Sequence, residues 1–108
     1  MLNQAVLVGR LVNEGEKVER DGKSYTKITI ASQRSYKNED GIYETDFIDI
    51  ILWGPIADNT LEYCKKGGII GIKGRIQTEG NAMGENDMQL VAEKVTFLSS
   101  KKPEGEDE

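Results

Sequence analysis

The chain has 108 residues, 37% of them apolar and 31% charged, the size and make-up of one polar globular domain rather than a disordered segment. Its net charge of −5 is concentrated in Glu104, Glu106, Asp107 and Glu108, since residues 1–102 carry 15 acids and 14 bases. One cysteine, Cys64, and no histidine rule out an internal disulfide, leave zinc and transition metals without clustered ligands, and remove the Ser-His and Cys-His nucleophiles.

Residues 2–12 (LNQAVLVGRLV) read as a strand. Ala5, Leu7 and Leu11 share one parity and Val6, Val8 and Val12 the other, so both faces ask for burial, one of them against a second subunit. Glu14-Gly15 and Asp21-Gly22 are turn signals, the second suited to a hairpin. Residues 24–34 form a second strand, with Thr26, Ile28, Ile30 and Ser32 on one face. Residues 35–43 are polar, contain Asp40-Gly41 and read as a loop or hairpin tip. A third strand covers 44–53. Pro55 suits the first position of a helix, Ala57, Leu61 and Cys64 make its apolar stripe, Lys65 and Lys66 suit its C-terminal end, and Gly67-Gly68 stops it. Residues 69–78 are a fourth strand whose Gly71 and Gly74 imply sharp curvature. A loop over 79–87 leads to a last strand over 88–98.

Five strands with one short helix between the third and fourth is the order of the OB-fold, an all-β, partly open Greek-key barrel whose usual ligands are oligonucleotides and oligosaccharides. The expected organisation is one such domain over residues 1–100 and a short acidic disordered tail over 101–108. No apolar run approaches the roughly 20 residues that span a bilayer, and no signal peptide is read at the N-terminus. A reducing cytoplasm fits a single cysteine.

The third strand carries the chemistry. Ile48, Ile50 and Leu52 look like core, while Phe47, Asp49, Ile51 and Trp53 share the other face. An unpaired Asp49 would be expensive to bury, so that face is expected to meet solvent and to present a phenyl ring and the only indole. Exposed rings on a barrel strand suit base stacking, worth about 1–3 kcal/mol per base. Alternation alone leaves a core or interface role for Phe47 and Trp53 equally open. Tyr36 stands between Arg34 and Lys37, which suits a nucleotide with its ring and phosphate, and Tyr43 repeats that signal more weakly. Tyr25 and Tyr63 suit core edges. Lys65, Lys66, Lys73 and Arg75 are candidate phosphate contacts, or an ordinary solvated face. The paired carboxylates lie at turns and read as solubility, no phosphate-cradling glycine motif is present, and neither catalysis nor a cofactor is expected.

The opening MLNQAVLVGRL, then DFIDIILWG, EYCKKGG, IGIKGRIQT and AEKVTFL, resemble in order and spacing the bacterial and phage single-stranded DNA-binding proteins, over residues 1–99. The resemblance implies a homotetramer with unpaired DNA wrapped around it, acting in replication, recombination and repair at the nucleoid. It implies stacking at Tyr36, Phe47 and Trp53, and a first strand paired with another subunit. Three departures stand out. Residues 79–84 (EGNAMG) lack the family's basic and aromatic residues, Asp49, Gly54 and Pro55 occupy positions that are often basic, and EGEDE lacks the apolar tip that recruits replication and repair partners. Binding weaker than the family's norm, or over a smaller site, is therefore expected. The alternative is an OB-fold accessory module of primosome type, acting through protein contacts.

Overall fold

The computed structural model describes residues 1–20, 22–80 and 83–99. The acidic tail expected over 101–108, Asp21 of the expected turn, and Asn81 and Ala82 of the expected 79–87 loop lie outside them. In chain order the elements are β1 (Ala5–Leu11), β2 (Glu16–Arg20), β3 (Lys23–Lys37), β4 (Tyr43–Leu52), α1 (Gly54–Tyr63), β5 (Ile69–Gly80) and β6 (Asn86–Ser99).

β1 and β2 are two halves of one kinked strand, which is how six strands make a five-membered ring. β1 pairs antiparallel with β5 and, through Arg10 and Leu11, with β3; β2 continues along β3. β3 pairs with β4, and β5 pairs with β6 along its whole length. The ring closes where β4 and β6 run parallel, through Ile50 opposite Leu90 and Ile51 opposite Val91. This is the expected OB-fold order, with α1 between the third and fourth members of the ring.

The alternation of β-branched residues fixes which side faces in. Ile28, Ile30, Ile50, Leu52, Ile70 and Ile72 are essentially sealed from solvent, joined by Leu11 and Ala92. Each such side chain contributes roughly 1.5–3 kcal/mol on burial. Helix α1 closes one end of the barrel. Its buried stripe is Ala57 and Thr60, with Cys64 just beyond; Leu61, expected in that stripe, is exposed. The chain kinks beneath it at Gly15, which has a φ of 91° and where a Cβ would lie 2.6 Å from Leu61 Cδ2. Burial raises the Cys64 thiol above its ordinary pKa.

Three expectations change at the element ends. The helix stops at Tyr63, so Lys65 and Lys66 belong to the following turn rather than to its last turn. That turn is tied to β1: the Gly67 N–H donates to the Leu11 carbonyl at 2.7 Å and Arg10 Nη1 to the Gly67 carbonyl at 2.7 Å. The polar 35–43 stretch is strand as far as Lys37, with a turn at 38–42 whose Asn38 side chain accepts from the Asp40 and Ile42 N–H groups. The 79–87 stretch is strand through Gly80 and again from Asn86, so β5 and β6 form one long hairpin arm.

Of the two strand glycines read as curvature, Gly74 is the one that needs its missing side chain. It sits where the β5–β6 register shifts, and a Cβ there would collide with the Val91 carbonyl. Gly71 would place a Cβ at ordinary contact distance. Gly74→Ala is therefore expected to destabilise the fold by about 1–3 kcal/mol, and Gly71→Ala by less, as read from urea unfolding midpoints.

Candidate nucleic-acid interface

The ring closure is short, two residue pairs long, and each of its strands is also paired along its other edge. Phe47, Ile48 and Asp49 pair with β3, and Asn86 to Gln89 pair with β5. On the Phe47–Asp49 side of Ile50 and Leu90 the two strands no longer pair, and a seam opens between them. One cleft of about 350 Å³ lies between Phe47, Ile48, Asp49 and Ile76, Met88, Leu90. A second, of about 290 Å³, is lined by Tyr25, Lys27, Asp49, Ile51, Met88 and Leu90, among others.

The outer face of β4 presents rings at this seam. Phe47 is 68% exposed and Trp53 38%. Ile51, expected to share their solvent exposure, is buried by its pairing with β6 and by its position opposite Lys27 on β3. Trp53 is held where β4 turns into α1, its own backbone extended and Gly54 starting the helix at a φ of 59°. Its indole packs against Tyr25, ring centroids 5.0 Å apart and tilted by 55°. Tyr25 thus belongs to the aromatic surface, which its sequence position did not suggest. The signal was there: Thr26 opposite Leu52 brings residues 25 and 53 together. Tyr63, expected at a core edge, is exposed beside Phe97, with ring centroids 6.0 Å apart.

The far end of the β3–β4 hairpin is a different environment. Tyr36 is 64% exposed in a stretch where the pairing slips between Gln33 and Lys37, so the parity of Phe47 cannot be carried to it. Beyond the slip Lys37 pairs with Tyr43, and its Nζ lies 5.6 Å from the centre of that ring, within cation–π range. Arg34 is committed to acids. Its Nε and Nη2 fork onto Asp46 at 2.8–3.3 Å and its Nη1 reaches Glu44 at 2.8 Å, while Asn38 Nδ2 donates to the other Glu44 oxygen. The Arg34 hydrogen bonds hold the Asp46 carboxyl below its ordinary range, and Asp46 in turn raises the guanidinium further.

The remaining cations are scattered. Lys73 pairs with Val6 on the β1 side, Arg75 Nη1 donates to Gln77 at 3.2 Å, and Lys65 and Lys66 stand at the turn tied to Leu11. Among the described residues no hydrogen bond or ring contact joins them to Phe47 or Trp53. Val6 and Val8, the second apolar face of β1, are 69% and 54% exposed in the single chain. No helix among the described residues is long and apolar enough to cross a membrane.

A Greek-key barrel that opens a ring-lined seam between two diverging strands defines an OB-fold binding barrel. The model of the single-strand binding protein family matches residues 2–98, and the chain belongs to that family. The single-stranded DNA-binding protein B of Bacillus subtilis (strain 168) is 38% identical over 94% of this chain and 94% of its own length. The single-stranded DNA-binding protein of Oceanobacillus iheyensis is 37% identical over 97% of this chain and 68% of its own. For single-stranded DNA-binding protein 3 of Listeria innocua the identity is 40%, over 94% of this chain and 66% of the relative. A crystal structure of the mitochondrial single-stranded DNA-binding protein of S. cerevisiae superposes with a TM-score of 0.73 at 20% identity, over 91% of this chain and 97% of that one, a likeness of fold.

The Asp46 carboxyl is expected to titrate below the ordinary aspartate range, and Arg34→Ala to return it there, in a carbon-detected NMR titration. Because the folded-state value is depressed, the pair's stabilisation is present above the unfolded aspartate range and fades as pH falls through the folded one.

Proposed function

We propose that this chain binds single-stranded DNA of any sequence, with stacking as its sequence-independent contribution and without catalysis, laying unpaired bases along the seam between β4 and β6. The observation that carries the reading is the exposed Phe47 and the Tyr25–Trp53 pair at that seam, in a chain of the single-strand binding protein family. Any base offers a π-face, so rings of this kind select for unpaired bases rather than for sequence. Tyr36 and the Lys37–Tyr43 pair extend the exposed aromatic surface towards the hairpin tip.

Phosphates are met by Lys37, Lys65, Lys66, Lys73 and Arg75, all exposed. Arg34 contributes least among the expected contacts, because Asp46 and Glu44 already neutralise it. Few free cations near the rings support modest affinity and a shallow dependence on salt. The work proposed for the chain is protection of unpaired DNA in replication, recombination and repair, in the cytoplasm at the nucleoid. Assembly is proposed to be a tetramer whose contacts cover Val6 and Val8, two apolar residues left open in one chain; a solution mass of one chain would contradict it. No observation favours the accessory-module alternative. Residues 1–100 are taken as the binding domain and 101–108 as an acidic appendage.

Titrating the chain's Trp53 fluorescence with oligo-dT at several salt concentrations tests the reading. Quenching with a shallow salt slope is expected. No quenching at low salt overturns DNA binding, and a steep slope overturns the secondary role given to charge. Phe47→Ala and Trp53→Ala are each expected to weaken binding of a labelled oligo-dT by about 1–3 kcal/mol while keeping the native circular dichroism spectrum.

A further inference from the structure

A carboxylate stands in the middle of the stacking surface. Asp49 is exposed, lies between Phe47 and Trp53 along β4, and lines both seam clefts. A negative charge there opposes the DNA backbone, so its position is informative only if it meets something other than phosphate. No salt bridge to Asp49 forms among the described residues.

Its orientation is built in. The Asn13 side-chain oxygen accepts from the Thr29 N–H at 3.2 Å and from the Gly15 N–H at 3.4 Å, which fixes which way the amide lies. Asn13 Nδ2 then donates to Thr29 Oγ1 at 3.2 Å, occupying a lone pair of that hydroxyl. Thr29 Oγ1 has one proton to give and gives it to Asp49 Oδ1 at 2.7 Å. The kink between β1 and β2 supplies Asn13, the β3–β4 register supplies Thr29 opposite Asp49, and the relay engages only Oδ1 of a carboxylate that lines both clefts.

We propose that Asp49 is a base-reading residue, a preoriented acceptor that favours bases bearing an exocyclic amino group over thymine. A carboxylate has acceptors only. The amino groups of cytosine and adenine, and the adjacent imino and amino hydrogens of guanine, are donors it can take. Thymine offers one ring N–H, set between two carbonyl oxygens that repel a carboxylate. Each cleft has room for a base, and Phe47 lines one and Tyr25 the other, so a base stacked on either ring brings its edge towards Asp49. Thr29 acts through Asp49 and is a positioning residue.

The inference rests on the proposed binding of single-stranded DNA, and the test separates the two. Anisotropy of labelled oligo-dC and oligo-dT of equal length gives an affinity ratio for the chain, for Asp49→Asn and for Thr29→Val. Loss of a charge so near the backbone changes both affinities together, whereas base reading changes their ratio. Asp49→Asn is expected to lower the dC/dT ratio at least about fivefold, because an amide can also donate to thymine's carbonyls. Thr29→Val, which keeps the carboxylate and the strand but removes the orienting hydroxyl, is expected to lower it part of the way. An unchanged ratio in Asp49→Asn, with both oligomers still bound, overturns base reading and leaves DNA binding standing. Failure of the unsubstituted chain to bind either oligomer overturns both.

Discussion

The barrel closes through two parallel residue pairs, Ile50 with Leu90 and Ile51 with Val91, and the site depends on how soon that pairing ends. β4 has already given its other edge to β3, and the start of β6 is held along β5. Outside those two pairs the facing edges of β4 and β6 part, while each strand keeps its antiparallel ladder with β3 or β5. The gap is walled by paired backbone on both sides, which fixes the side chains that line it. Phe47 stays exposed because the strand that would cover it turns away, and Ile51, four residues on, is buried because there the strands still meet. The register shift at Gly74, where a side chain would strike the Val91 carbonyl, is part of the same bend.

Charge is arranged around that seam in an unusual way for a chain proposed to hold a polyanion. Arg34, expected from the sequence to meet phosphate, is forked onto Asp46 and braced by Glu44. Lys37 lies over the Tyr43 ring. Both stiffen the β3–β4 hairpin, and the Arg34 fork leaves little free charge for a ligand. Asp49 adds an acceptor where the rings are. On the proposed reading, stacking supplies most of the affinity and the polar groups shape which bases are preferred.

Much of the fold was legible in the sequence because its signals are local. Ile48, Ile50 and Leu52 alternate with Phe47 and Asp49, and the helix announces itself by Gly54-Pro55 and ends before Gly67-Gly68. Local signals failed where the answer lies in a distant partner. Leu61 is the more apolar residue, yet Thr60 takes the buried position and Leu61 stays exposed, touching the kink at Gly15 only with a methyl group. Arg34 beside Tyr36 looks like a phosphate contact until the β3–β4 register brings Asp46 and Glu44 to it. Tyr25 joins Trp53 by that same register. The Asn13–Thr29–Asp49 relay needs a strand kink and a cross-strand pairing together, and no short motif encodes either.

The central claim is that unpaired DNA lies along the β4–β6 seam. Amide NMR of the isotopically labelled chain, recorded with and without a short oligonucleotide, tests it most directly. The account predicts that the largest shift changes fall together at Tyr25 to Thr29, Phe47 to Trp53 and Met88 to Val91. Changes concentrated instead on Val6, Val8 and the Tyr63–Phe97 surface, with the seam residues unmoved, would contradict it.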